Sequence, residues 1–471
     1  MRRAVSLPRP AAATGGPARP RGIVPWRHGR GNRHRAVAKA CEHAAMNARD
    51  AAEILVDDLL PQRRSLRLAV VTETYPPEVN GVAATIAPVV EGLVGRGHQV
   101  QLIRPRQNGA DRADAHDHRL HEVLLRGLPI PRYPQLRMGL PARRALVERW
   151  SRQRPDVVHL VTEGPLGWSA LQAALQLRLP VVSEFRTNFH AYSRHYGVAW
   201  LRRPIVAYLR RFHNRTACTM VPTETLRREL DGCGFERLAV VARGVDTVRF
   251  DPARRCAALR QSWGCAADDR VLVYVGRLAP EKNLDLLLRC HARMLALDAR
   301  LRLVFVGDGP ERAALQARCP GAVFAGARSG DDLAAHYASG DLFLFPSLTE
   351  TYGNVTAEAL ASGLAVLAYD HAAAAQLIRD GDNGLLAPLG DEAAFVERAL
   401  QLALRPELAQ ALRPRARLAM LGHDWPRIVA QVEAVMAAAA RPEPAAAARA
   451  ERGGRVERPA AAVSPASPGP H

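Results

Sequence analysis

The stretch Ser347–Glu358, SLTETYGNVTAE, follows the apolar run DLFLFP (Asp341–Pro346) and leads into ALASG (Ala359–Gly363). An apolar run that stops at a Gly-Asn turn and resumes in helix formers reads as strand, loop and helix. Glu350 then falls in the loop and Glu358 on the helix, so the two carboxylates do not share one helix face. Backbone N–H groups around Tyr352–Val355 are placed for an anion at the helix N-terminus, and the carboxylates beside them suit sugar or ribose hydroxyls. The plainer alternative puts Glu358 on an exposed helix face and makes Glu350 a capping residue.

The same pattern recurs on both sides. VGRLAPEK, Val275–Lys282, ends the apolar run Arg270–Gly276 and enters a helix near Asn283. Arg277 and Lys282 thus lie at the carboxyl edge of a sheet, where two cations can hold a diphosphate and stabilise it as a leaving group. Gly307-Asp308-Gly309-Pro310 follows the run Leu301–Gly307 and suits a tight turn into a helix. With Val323–Ala325, Asp341–Phe345 and Ala365–Tyr369 these make one series of five strands. Leu66–Thr72, Gln99–Ile103, Asp156–Val161, Pro180–Glu184 and Ala217–Val221 make another. Helix-length segments between them predict an α/β protein of two Rossmann-like domains, since a single eight-fold barrel would show a more regular repeat. RGVDTVRFDP, Arg243–Pro252, is the expected break.

A chain of 471 residues, 48% hydrophobic and 24% charged, is long enough for two cores and excludes a fibrous or wholly disordered protein. No apolar run approaches the roughly 18 residues of a membrane span, and the N-terminus lacks a signal-like apolar stretch, so the expected compartment is the cytosol. The formal charge of +19 is uneven: residues 1–50 hold eleven Arg and Lys against Glu42 and Asp50. Residues 1–63 and 441–471, rich in Ala, Pro and Arg, read as disordered tails. Only Lys39 and Lys282 are lysines, against 63 arginines, so arginine abundance says little and Lys282 stands out. No zinc, helix-turn-helix or RNA-recognition signature supports specific nucleic-acid binding. The seven cysteines lack metal or redox spacing and read as reduced.

Taken together, GRLAPEK, VGDGP and ETYGNVTAEALASG resemble the group 1 glycosyltransferases, or family four, of GT-B fold. HLVTEGPLGWSAL, TNFHAYSRHYG and ARGVDTVRF are similar to the bacterial GDP-mannose-dependent α-mannosyltransferases, over roughly Leu66–Ala437. The resemblance implies retaining transfer of a hexose from a nucleotide-diphosphate sugar to a lipid or glycan acceptor, with no metal and no cofactor expected, in a cleft between an acceptor-side domain (64–243) and a donor-binding domain (244–422). It implies a helix in 423–440, around Pro426–Met436, that crosses back onto the first domain.

By similarity, Arg277 and Lys282 contact the diphosphate. Glu350 and the Gly353, Asn354 and Val355 amides hold sugar and phosphate, Glu358 holds the ribose, and Gly244 and Asp246 line the interdomain side. Gly276, Gly307 and Gly309 join this donor set. Asn80 and Gly81 match a glycine loop near donor phosphate and acceptor. His159, at a strand end, is placed near the transferring sugar, with a backbone-bonded histidine as the alternative. Glu163, Arg186 and His190 are acceptor-side candidates. Arg186 departs from the usual Phe-His-Thr-Asn pattern, which keeps open a non-catalytic sugar-nucleotide-binding protein. A UDP-hexose donor is the other alternative, while an epimerase or phosphorylase explains fewer of the motifs.

Pro88 is expected to kink or shorten the first helix. Leu201–Arg215, LRRPIVAYLRRFHNR, is basic and amphipathic. It reads either as a contact with an anionic membrane at the inner face or as a surface helix whose apolar side packs on its own domain.

Overall fold

The computed structural model describes residues 64–441 except 79, 109–110, 114–117, 131–132 and 187–201. The tails, His190 and Cys41 lie outside the described residues. Two parallel sheets carry the fold. The first runs β3(Leu120–Leu125)-β2(Gln99–Pro105)-β1(Arg67–Val71)-β6(Val157–Leu160)-β7(Val181–Glu184)-β8(Cys218–Val221)-β9(Leu238–Val240). The second runs β12(Val323–Gly326)-β11(Leu301–Val306)-β10(Arg270–Val275)-β13(Leu342–Phe345)-β14(Ala365–Tyr369)-β15(Leu385–Ala387). An antiparallel hairpin, β4(Gly127–Ile130) and β5(Tyr133–Gly139), stands apart.

Strands such as RVLVYV, after its first residue, and LFLF are apolar because helices cover both faces of each sheet, and those apolar residues are almost fully buried. Each sheet reverses its strand order once, between β1 and β6 and between β10 and β13. At such a reversal adjacent crossovers leave in opposite directions and open a crevice at the carboxyl ends of the strands. The sequence reading missed β3, β9 and β15 because they are edge strands, amphipathic or only three residues long.

The chain passes from the first sheet to the second after Val240 and returns after Met420. At the return, Val245 N–H donates to the His423 carbonyl at 3.0 Å, and the Asp424 carboxylate caps the last helix, Trp425–Ala439, through Arg427 N–H. Val429, Val432 and Met436 of that helix are buried in the core of the first sheet. It lies so close to the helix Ala83–Gly95 that a Cβ on Gly92 would sit 2.6 Å from Val429. Glu433 adds an ion pair with Arg96 at 2.5 Å and a polar contact with His98 Nε2 at 3.1 Å.

Pro88 does not shorten the helix that contains it. Ala83–Gly95 runs thirteen residues through the proline, and burial of Ile86, Val89, Val90 and Leu93 compensates for the lost backbone hydrogen bond.

In the helix Arg202–His213, Leu209 and Phe212 are buried and Ile205 and Val206 pack beside Phe185 and Phe235. Its apolar side therefore faces the protein, while Arg203, Arg210 and Arg211 face outward. No helix among the described residues is long and apolar enough to cross a membrane.

Met436 is fully buried where the last helix meets the first sheet. Met436→Ala should therefore destabilise the protein by about 2–5 kcal/mol in denaturant titration; a loss below about 0.5 kcal/mol would mean that the helix is not integral to that core.

Candidate functional site

Loops from the strands flanking both reversals converge on one cavity of about 740 Å³. From β10 come Gly276 and Arg277, then a 3-10 turn, Pro280–Lys282, closed by Asn283 at φ +54°. From β13 comes the loop that carries Glu350. Lys282 Nζ lies 2.5 Å from Glu350 Oε1, and Ser347 Oγ donates to the same oxygen at 2.8 Å. Lys282 also lies 5.8 Å from the Phe345 ring centre. Gly353, at φ +91°, turns the chain into the helix Asn354–Ala361 and sets the first amides of that helix at the cavity, in a left-handed conformation that side chains disfavour.

The first half supplies the opposite wall. Asn80 and Gly81 line it, and Asn80 Oδ1 accepts from Val82 and Ala83 N–H, fixing the start of the helix Ala83–Gly95. Glu163 lines it too and is held by His213, whose Nε2 lies 3.3 Å away and whose Nδ1 is 2.9 Å from Ser183 Oγ. Arg186 reaches the cavity while bonded to Thr85 and ion-paired with Glu184.

A second cavity, of about 790 Å³, contains Gly244, Asp246 and Glu358, and Asn354 lines both spaces. The Glu358 carboxyl accepts from Tyr337 OH at 2.9 Å. Burial pushes it up to about 7, against the lowering effect of that hydrogen bond. Asp246 Oδ1 accepts from Val248 and Arg249 N–H and so fixes its own turn.

Three sequence-derived candidates lie away from the cavity walls. His159, one residue from the carboxyl end of β6, is fully buried and lines neither cavity, with Nε2 2.8 Å from Glu184 Oε1. Gly307 and Gly309 pack against the neighbouring loop instead of lining the donor space. A Cβ at Gly307 would fall 1.9 Å from the Gly276 carbonyl, and one at Gly309 would fall 2.2 Å from that of Leu278. Their small size lets the loops after β10 and β11 touch.

Sequence reading also passed over residues that line the first cavity: Glu73, Thr74, Glu78, Arg137 and Arg243. Two carboxylates at the carboxyl end of β1, in TETYPPE, were an available signal. Arg137 sits on the hairpin, which had none. Glu73 Oε1 accepts from Leu166 N–H at 2.9 Å, at the start of the helix Pro165–Gln176. Burial pushes its carboxyl up to about 7 despite that bond. Glu184 is the reverse case: burial would raise it, but Arg186, His159 and Arg243 outweigh burial and hold it near 2. Among the described residues no group of three or more His, Cys, Asp or Glu side chains is arranged to hold a metal ion.

Residues 269–405 match the family described as Glycosyl transferases group 1, and residues 79–249 match Glycosyltransferase Family 4. The chain is 38% identical over 365 residues to a GDP-mannose-dependent alpha-mannosyltransferase of Mycobacterium tuberculosis, covering 77% of this chain and 93% of that one. The chain belongs to the group 1 glycosyltransferases. A Corynebacterium glutamicum protein of the same description is 34% identical over 328 residues, 70% of this chain and 78% of its own. Among solved structures, sucrose-phosphate synthase of Thermosynechococcus elongatus superposes on this glycosyltransferase with a TM-score of 0.65 at 17% identity, over 80% of this chain and 99% of that one. The shared fold is GT-B, and this glycosyltransferase is an enzyme that draws on a nucleotide sugar.

In the folded glycosyltransferase Glu73 holds its proton up to about pH 7, whereas an ordinary glutamate releases it near 4.5. The folded state then binds more protons than the unfolded state across that window, so stability falls as pH rises through it. Glu73→Gln should flatten part of that fall in thermal midpoint; an unchanged slope would show that Glu73 titrates at an ordinary value.

Proposed function

We propose that this enzyme is a retaining mannosyltransferase that moves mannose from GDP-mannose to a hydroxyl of a lipid or glycan. The observation that carries the reading is the pair of cavities meeting at Asn354. Arg277, Lys282, Glu350 and the helix amides stand on one side, with Glu358 on the other. A nucleotide sugar has this division of chemistry: a charged diphosphate joined to a sugar, then a ribose with two hydroxyls. The relatives' descriptions support guanine and mannose as the donor's parts.

In this reading Glu358 accepts from ribose hydroxyls, and the amides at Gly353–Val355 meet the phosphate nearest the sugar. Glu350 orients the sugar through its hydroxyls. Arg277 and Lys282 stabilise the charge that grows on the diphosphate as the C1–O bond to phosphate breaks. The acceptor oxygen bonds to C1 on the face the diphosphate leaves, and its proton passes to a diphosphate oxygen. No protein nucleophile takes part, and the cations supply the electrostatic role that a metal fills elsewhere. Asn80, Glu163 and Arg186, with Glu73, face the acceptor.

The inward-packed apolar side of the helix Arg202–His213 favours an electrostatic approach to an anionic membrane over insertion. Arg203, Arg210, Arg211 and Arg215 are the exposed charges for that peripheral contact.

Release of nucleotide diphosphate from GDP-mannose, UDP-glucose and UDP-galactose, with and without a bacterial lipid extract, tests the proposal. Release from GDP-mannose that depends on lipid or glycan is expected. Turnover of a UDP-sugar alone would move the donor assignment, and binding without turnover would favour a non-catalytic protein. Lys282→Ala and Glu350→Ala should each lower kcat by about 10²–10³ with the fold intact; near-normal turnover in both would refute the donor-site roles.

A further inference from the structure

Arg243 lies in the linker between the two sheets, and its guanidinium lines the first cavity. It lies 5.5 Å from the Tyr352 ring centre, and Nη1 donates to Asn354 Oδ1 at 3.4 Å. Its own carbonyl accepts from Tyr352 OH at 3.2 Å. The linker is therefore fastened to the loop and helix start on which the donor site is built.

The charge around it does not balance. Glu184 is the nearby carboxylate on the first-half side, yet its two oxygens are engaged by His159 Nε2 and Arg186 Nη2. Among the described residues Arg243 forms no ion pair, and its side-chain contacts are one amide oxygen and one aromatic face. Burial, then the Arg186 charge, push its guanidinium down to about 10, so it is still cationic at neutral pH. Glu184 and Glu350 act on Arg243 through their charge, but each is paired with another cation, Arg186 and Lys282, and a half-buried cation with no ion pair of its own at the wall of a cavity suits an anion there.

We infer that Arg243 is a further donor-binding residue: its guanidinium donates to a diphosphate oxygen beside Asn354, so that the interdomain linker completes the anion site begun by Arg277 and Lys282. This rests on the nucleotide-sugar reading above. Arg243 also ties donor binding to the relation between the two halves of the enzyme, because it is the one of these cations that belongs to the linker. Asn354, which it contacts, is the residue common to both cavities.

Calorimetric titration of the full chain with GDP and with guanosine tests this, using Arg243→Met, which keeps apolar contact with Tyr352, and Arg243→Lys, which keeps the charge. Arg243→Met should weaken GDP binding about 10- to 100-fold, the range of a charge-assisted hydrogen bond. Guanosine binding should stay within about twofold, since only the phosphates are affected. Arg243→Lys should recover part of the GDP affinity. Unchanged GDP affinity in Arg243→Met would overturn the inference, as would an equal loss for guanosine, which would mark a purely structural role. A rise in acceptor KM with GDP affinity intact would also overturn it, by placing the anion on the acceptor. If the wild-type chain binds neither GDP nor UDP, the nucleotide-sugar reading itself fails, a result distinct from these.

Discussion

A partly buried ammonium needs a counter-charge, and Lys282 finds it in Glu350, 2.5 Å away. That contact joins the loop after β10 to the loop after β13, two strands that lie side by side where the sheet reverses its order. The second-sheet wall of the first cavity follows from holding these two loops together. With Glu350 fixed, Gly353 turns the chain so that the helix Asn354–Ala361 starts at the cavity, and Asn354 becomes the partition between the two spaces. Gly307 and Gly309 keep the next loop pressed against the one that carries Arg277.

The cavity carries both signs of charge on both walls, with carboxylates in slight excess on one and cations in slight excess on the other. Its second-sheet wall and linker present Arg243, Arg277 and Lys282 with Glu281 and Glu350, and its first-sheet wall presents Glu73, Glu78 and Glu163 with Arg137 and Arg186. Cations hold a diphosphate, and carboxylates accept from the hydroxyls of a sugar or glycerol-like acceptor. Burial raises the Glu73 carboxyl, so this wall carries less negative charge near neutrality than its composition suggests. The Glu184–Arg186–His159 cluster lies behind it as an internally paired support.

The architecture was legible because parallel strands buried on both faces leave nearly continuous apolar runs, such as VLVYV, LVFV and AVLAY. Edge strands escape that signal: β9 and β15 have three residues each, and β3 mixes His and Glu with its leucines. Within the site, Lys282, Glu350 and Glu358 were legible because they punctuate strand-to-helix loops. His159 does lie one residue from the end of β6, but the sequence pattern does not say which way a strand-end histidine faces. In the sheet its ring turns inward to Glu184. Arg243 was passed over because RGVD reads as a turn, and nothing local in the sequence says that its side chain lies over Tyr352, more than a hundred residues away.

The central claim is that the cavities on either side of Asn354 are one donor site. Hydrogen exchange of the full chain, measured with and without GDP-mannose, tests it directly. The account predicts slowed exchange at Gly353–Val355, in the Arg328–Gly330 loop of the second cavity and in the linker around Gly244–Asp246, all at one donor concentration. Protection confined to one cavity, or absent at saturating donor, would contradict it.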